Sequence, residues 1–268
     1  MPYNLKILLS PTKTMNRIDL LQNENNTNTY PDFLERSELL IKELRKLSIH
    51  EISSEMNVST KIAEQNHSRF KNWLLPDKSK KSWSIASCLY SGEVYKALDF
   101  NSLNKKERLH AQNCLFILSG LYGIIRAEDC IYPYRLEMGH SLKTSQNKIS
   151  LYKFWGNEIY HYLIKHLNQE DIIINLASNE YFKVIKKKEL KNQIITPIFK
   201  TLKNGSLKTI AIHSKLARGL MARFIITNNI SSIEELKKFN GASYLFDEKL
   251  SVNNELFFIK NNETNETS

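Results

Sequence analysis

The residues best suited to chemistry concentrate between Cys114 and Gly139, in the run CLFILSGLYGIIRAEDCIYPYRLEMG. Two arginines (Arg126, Arg135), three carboxylates (Glu128, Asp129, Glu137) and three tyrosines (Tyr122, Tyr132, Tyr134) follow one short apolar stretch. That set suits phosphate esters and bases: guanidinium forks neutralise phosphate, carboxylates exchange protons, and Tyr122 or Tyr134 could stack on a base. A second strand end, INLASNEYFK at 174–183, adds Asn175, Ser178, Glu180 and Lys183. Glu137, Asp129 and Glu180 are therefore candidate acid/base carboxylates, and Arg126 and Arg135 candidate phosphate ligands. Catalysis would require Glu137 and Glu180 to converge across neighbouring strands. The alternative is a loop whose charges are solvated or pair with one another.

Further cations occupy places where backbone amides could help them hold an anion. Lys13 lies in the hydroxyl-rich turn Ser10-Pro11-Thr12-Lys13-Thr14, which lacks the glycines of a nucleotide-binding P-loop and reads equally as a plain turn. Lys183 opens the basic run to Lys191. Lys215, Arg218 and Arg223 fall in the first turns of a helix expected over Ser214–Asn228, where the macrodipole disfavours them, so an anion or carboxylate partner is expected nearby.

The elements that must position these groups follow from periodicity. Leu5–Leu9, Cys114–Leu118 and Asp171–Leu176 are short continuous apolar runs, the pattern of strands covered on both faces. Ligands collect at the carboxyl ends of such strands, and Gly120 and Gly123 permit a sharp turn or a close approach at one of them. Helical spacing predicts helices over Phe33–Leu47, Ile49–Met56, Thr60–Trp73, Gly92–Leu98, Lys105–Asn113 and Leu151–Leu167. Ser48 with Glu51 forms a capping box for the second of these. Trp83–Leu89 reads as a strand, and Ile194–Phe199 and Leu207–His213 as a hairpin around Asn204-Gly205. Tyr244–Asp247 and Glu255–Ile259 supply closing strands. Residues 16–31 form a polar, Asn-rich excursion, Lys78–Lys81 a basic loop, and residues 261–268 a polar tail.

The segment from Glu55 to Ala63 has the outline of a helix-hairpin-helix, in which hairpin amides and the first turn of the second helix face a DNA phosphate. Val58, Lys61 and Ala63 fit the pattern, while Asn57 and Ser59 stand where glycines are usual. An ordinary helical hairpin with a capping serine is the other reading.

Composition narrows the partners. The net charge of +10 and an isoelectric point near 9.3 suit a polyanion. Asn, Ile and Lys are all abundant, however, as in AT-rich coding, so placement of the lysines must decide. Hydrophobic residues at 41% argue for a folded globule. The opening MPYNLKILLS is too short an apolar run for a signal peptide, and no segment reaches membrane-spanning length, so a cytoplasmic protein is expected. Cys88, Cys114 and Cys130 are odd in number and unpaired in spacing, which suits reduced thiols. No metal site or cofactor is expected: the seven histidines show no ligand spacing, and His161 and His166 are five apart.

Together SPTKT at 10–14, SGEVYKAL at 91–98, LSGLYGIIRAEDCIYPYRLEMG at 118–139, LYKFWG at 151–156, INLASNEYFK and KLARGLMARFI at 215–225 resemble the YaaA peroxide-stress-resistance family. The resemblance spans nearly the full chain in order, with Thr12 where alanine is usual. It implies a cytoplasmic bacterial protein that helps cells survive hydrogen peroxide and limits damage by intracellular iron. It also implies a compact mixed α/β fold with a basic cleft and a helix-hairpin-helix able to bind DNA. The expectation is a single α/β domain over residues 1–260, with a central mixed sheet flanked by helices and a helix-hairpin-helix-like insertion at 49–73. The expected partner is double-stranded DNA or another nucleic acid, bound by a monomer through Lys13, Asn57, Ser59, Lys61, Arg126, Arg135, Lys183, Lys215 and Arg218. The competing class is an enzyme acting on nucleic acid or nucleosides through Glu137, Asp129 and Glu180.

Overall fold

A computed structural model describes residues 4–16, 29–76, 83–143 and 148–261. Most of the Asn-rich excursion, the basic loop Lys78–Lys81 and the tail beyond Asn261 lie outside the described residues. Leu5–Leu9 (β1), Leu115–Ser119 (β2), Gly123–Arg126 (β3), Ile172–Asn175 (β4), Ile194–Lys203 (β5), Ser206–Lys208 (β6), Tyr244–Val252 (β7) and Glu255–Asn261 (β8) form one eight-stranded sheet. Its order is β7-β8-β5-β4-β1-β2-β3, with β6 paired to β5. The five inner strands are mutually parallel, and the outer pairs β2–β3, β7–β8 and β5–β6 are antiparallel. The fold is thus mixed α/β around a mostly parallel sheet. β2 and β4 are buried at every position and β1 at all but Lys6, which explains why they read as unbroken apolar runs.

Connectivity creates a crevice in this sheet. β1 lies between β4 and β2; the chain leaves β1 toward β2, whereas it leaves β4 toward β5. The loops after these two parallel neighbours therefore diverge, the arrangement in which open α/β sheets bind ligands.

Helices flank the sheet: Leu34–Leu44 (α1), Ile49–Glu55 (α2), Thr60–Asn72 (α3), Glu93–Leu98 (α4), Lys105–Cys114 (α5), Leu151–Trp155 (α6), Glu158–Lys165 (α7), Asn179–Phe182 (α8), Ala211–Thr227 (α9) and Ile233–Leu236 (α10). Ser48 and Glu51 form the expected capping box, and Asn104 with Glu107 forms a second. No described helix is long and apolar enough to cross a membrane.

Five expectations change. Trp83–Leu89 is not one strand: Ser84–Ile85 pairs antiparallel with Cys130–Ile131, and Ala86–Leu89 is a helical turn. Leu151–Leu167 is broken at Gly156, whose φ of +50° interrupts an otherwise helical pattern. The hairpin at Asn204-Gly205 is present, but its second arm ends at Lys208 and residues from Ala211 are helical. Cys114 closes α5 instead of opening β2, and Asn261 ends β8.

Gly120 permits a close approach by backbone. A Cβ there would meet the Leu136 carbonyl oxygen at 2.3 Å, so the returning segment Tyr134–Glu137 lies directly over the end of β2. Gly219 performs the same service between helices. A Cβ there would come within 2.1 Å of the Val94 carbonyl oxygen and 2.8 Å of Ala97 Cβ, so α9 rests on α4 at backbone contact. Gly219→Ala is expected to destabilise the protein by about 1–3 kcal/mol, read as a lower urea midpoint with unchanged slope. An unchanged midpoint would show that α4 and α9 yield without cost.

All three cysteines are buried, and burial pushes their thiols up, Cys88 and Cys130 to about 11 and Cys114 to about 12. A thiol reagent at pH 8 is expected to leave all three unmodified in the native protein and to label three in denaturant. Fast native labelling of any one would reveal local opening of the core.

Candidate functional site

The divergent loops after β1 and β4 enclose a cavity of about 570 Å³. Ser10 ties them together, its Oγ accepting from the Ser178 amide at 2.8 Å and donating to Ser178 Oγ at 3.3 Å. Ser178 stands at the N-cap of α8 with extended backbone, yet its side chain makes no capping bond. The Ser10 carbonyl accepts from Tyr95 Oη at 2.9 Å, which pins the loop to α4. Thr12 packs where Gly92 lacks a side chain, since a Cβ on Gly92 would lie 2.2 Å from Thr12 Oγ1. The segment Tyr134–Glu137 and Lys215 and Arg218 of α9 line it as well.

Five cations (Lys13, Lys96, Arg135, Lys215, Arg218) and three carboxylates (Glu93, Glu137, Glu180) line this space. Most of the charges are already engaged. Glu137 holds Lys13 Nζ at 2.8 Å and Arg135 at 3.2 Å, and Lys96 pairs with Glu93 at 2.9 Å. Glu180 accepts from the Gly139 amide at 2.9 Å, an approach that a Cβ on Gly139 would crowd at 3.0 Å. Lys215 and Arg218 differ: among the described residues neither has an ion-pair partner or a side-chain hydrogen bond. Arg218 is half-buried, and desolvation lowers its pKa with no carboxylate to offset it. Holding a guanidinium out of water without a counter-charge is unfavourable, and an incoming anion removes that cost.

The cavity thus brings together Lys13, Arg135, Glu137, Glu180, Lys215 and Arg218 from four separated stretches of chain. Lys183 is exposed beside it, its Nζ 5.1 Å from the Tyr152 ring, while Tyr152 Oη donates to the Glu180 carbonyl at 2.7 Å.

Arg126 and Asp129 lie elsewhere. Arg126 pairs in register with Phe116, near the start of β2, so it sits at the opposite end of the sheet from the cavity. Its guanidinium donates to the Gln112 carbonyl and covers the Phe116 ring, while Asp129 is buried and accepts from the Arg126 amide at 2.8 Å. Burial raises the Asp129 pKa, but the carboxyl is closing a turn. Tyr122 is fully buried, with its hydroxyl accepting from Trp73 Nε1 and donating to the Tyr132 carbonyl, so no base can stack on it. Tyr134 does line the cavity, its hydroxyl 2.6 Å from Ser119 Oγ and 2.8 Å from Tyr90 Oη. Arg223 has the carboxylate partner expected of it: it bonds the Leu98 and Asp99 carbonyls at 2.9 Å, with the Asp99 carboxylate at 3.8 Å.

Asn57, Ser59 and Lys61 are all exposed at the junction of α2 and α3, outside the cavity. Asn57 adopts φ +48°, the left-handed conformation that asparagine tolerates, and Ser59 is the N-cap of α3 without a side-chain capping bond.

Two residues not singled out from the sequence feel charges of the site without lining the cavity. His140 follows Gly139; its Nε2 is buried without a partner among the described residues, and burial lowers its pKa against the opposing pull of Glu137 and Glu180. Arg69, late in α3, is half-buried; burial lowers its pKa, against the opposing pull of Tyr132, and the charge of Arg135 lowers it further. Neither carries a motif, so only the assembled fold reveals them. No cluster of three or more His, Cys, Asp or Glu that could hold a metal occurs among the described residues.

The arrangement can bind an anion on Lys215 and Arg218 and offer carboxylate acceptors in the same space. Comparison with known proteins agrees with the sequence resemblance. A profile of the family described as peroxide stress protein YaaA matches residues 5–250. A UPF0246 protein of Shewanella sp. (strain ANA-3) is 46% identical over 258 residues, covering 95% of this chain and 98% of its own. Another, from Shewanella baltica (strain OS155 / ATCC BAA-1091), is 45% identical over 249 residues, covering 91% and 95%. The chain belongs to the peroxide stress protein YaaA family.

Proposed function

We propose that this protein is a monomeric cytoplasmic DNA-binding member of the peroxide stress response, protecting DNA from iron-dependent oxidative damage by binding it without sequence preference. The observation that carries this reading is the pair Lys215 and Arg218, cations without protein partners in a cavity at the carboxyl end of a parallel sheet. Positive charge held ready in a concave site draws a polyanion and gains by counterion release.

The α2–α3 pair supports the reading as a second contact, working as a helix-hairpin-helix. Asn57 supplies the left-handed turn, and the first amides of α3 have no intrahelical acceptor and no capping side chain. Exposed Lys61 stands beside them, so one phosphate could take the amides and the lysine together. From Lys61 to Arg69, whose pKa the charge of Arg135 lowers, is eight residues of helix, about 12 Å. That span suits one strand of a duplex running from the hairpin to the cavity mouth, with Lys13, Arg135 and Lys183 along its edge.

A catalytic reading, in which nucleic acid or a nucleoside is processed, draws on one observation: Glu137 and Glu180 line the same cavity. Asp129 would have no part in it, being occupied in its turn at the far end of the sheet.

For the binding reading, Lys61→Glu should weaken affinity for duplexes of every sequence alike and reduce the slope of log K against log salt by about one. Binding that is absent, or insensitive to salt in the wild type, would remove it. For the catalytic reading, Glu137→Gln should abolish turnover of a nucleoside or lesion-bearing oligonucleotide while thermal unfolding shifts little. Unaltered survival of peroxide by cells carrying that variant would leave Glu137 without a catalytic role.

A further inference from the structure

We infer that the cavity is a pocket for a single nucleotide, phosphate on Lys215 and Arg218, with the base and sugar toward Glu137 and Glu180. This rests on the nucleic-acid reading and specifies what part of the polymer enters. Size is the first argument. About 570 Å³ falls within the ~300–1,000 Å³ of small-molecule sites, whereas B-DNA has a major groove alone about 12 Å wide. A duplex can lie across the mouth but cannot enter.

Charge is the second argument. A bare polyanion filling the space would meet Glu137 and Glu180 as well as the cations. The ligand must therefore carry its anion at one end and hydrogen-bond donors at the other. A nucleotide does so: its phosphate suits the guanidinium fork of Arg218 with Lys215 one turn before it on α9, and its exocyclic amines or sugar hydroxyls donate to carboxylates. Leu136, Leu176, Val94 and Tyr134 line the same cavity, and their apolar surface suits the faces of a base. The carboxylates are fixed in advance, Glu180 by the Gly139 amide and Glu137 by Lys13 and Arg135, so they act as immobile acceptors. A nucleotide within a strand reaches such a pocket only by leaving the base stack, which is easiest where it is already unpaired. A free mononucleotide carries the same chemistry.

Calorimetric titration with deoxynucleoside monophosphates, alongside gel-shift titration with matched duplex and with duplex bearing a one-nucleotide bulge, tests this. Mononucleotide binding should saturate a single site and weaken roughly tenfold or more in Arg218→Ala or when the phosphate is removed from the ligand. Val94→Trp fills the cavity without removing charge. It should abolish mononucleotide binding while circular dichroism stays as in wild type. If the bulged duplex binds more tightly than the matched one and loses that advantage in Val94→Trp, the nucleotide comes from the strand. If mononucleotides bind with the same dependence on Arg218 and Val94 but the bulge gives no advantage, the source is the free nucleotide and the pocket stands. Matched duplex bound with neither bulge preference nor mononucleotide saturation overturns the pocket and leaves the DNA-binding reading intact. Mononucleotide binding untouched by both substitutions also overturns it. Saturable mononucleotide binding with no affinity for any duplex keeps the pocket and removes the DNA-binding reading.

Discussion

Parallel strands end with backbone groups that the ladder no longer satisfies, and in this protein the ends of β1 and β4 must satisfy each other across a crevice. The Leu176 amide still reaches the Leu8 carbonyl at 2.9 Å, but one residue later the ladder stops. Asn175 then turns its own side chain onto the Ala177 amide at 3.1 Å, and Ser10 takes the Ser178 amide. Side-chain oxygens thus substitute for strand partners at the point where the two loops part. The consequence is a rigid floor between diverging walls. Four charged groups of the cavity are positioned relative to that floor: Lys13 by the β1 loop, Glu180 by the β4 loop, and Arg135 and Glu137 by the segment lying over Gly120.

The electrostatics of the site separate into a closed part and an open part. Lys13, Glu137 and Arg135 form a three-membered network, with Arg135 and Glu137 both largely shielded from water. Such a network resists movement, and its single carboxylate offsets only one of the two cations, so a positive charge remains on this wall. Lys215 and Arg218 form the open part. Their helix is seated on α4 through Gly219, so Arg218 is fixed by packing at the residue next to it and not by a salt bridge. A cation held by packing keeps its whole charge for a ligand, which is the physical difference between the two groups of residues.

Much of this was readable in the sequence, for reasons that differ by element. The strands β1, β2 and β4 announce themselves because burial on both faces leaves no polar position inside them. The strand-end clusters around Lys13, Glu137 and Glu180 follow from the rule that parallel strands deliver their loops to one edge. Arg126 and Asp129 were misplaced in space for an equally physical reason: β2 turns back immediately as an antiparallel hairpin through Gly123 at φ +73°, returning the chain to the other end of the sheet within seven residues. Nothing in composition distinguishes a strand that ends in a crossover from one that ends in a hairpin when Gly120 and Gly123 serve either. The break at Gly156 was hidden similarly, since apolar periodicity continues through it while the backbone does not.

His140 and Arg69 were invisible because their significance is purely spatial. Arg69 belongs to the amphipathic pattern of α3, and only the packing of that helix brings it beside Arg135. Of the two, only Arg135 has a carboxylate partner among the described residues, Glu137 at 3.2 Å. The charge of Arg135 thus reaches α3, although Arg69 does not line the cavity.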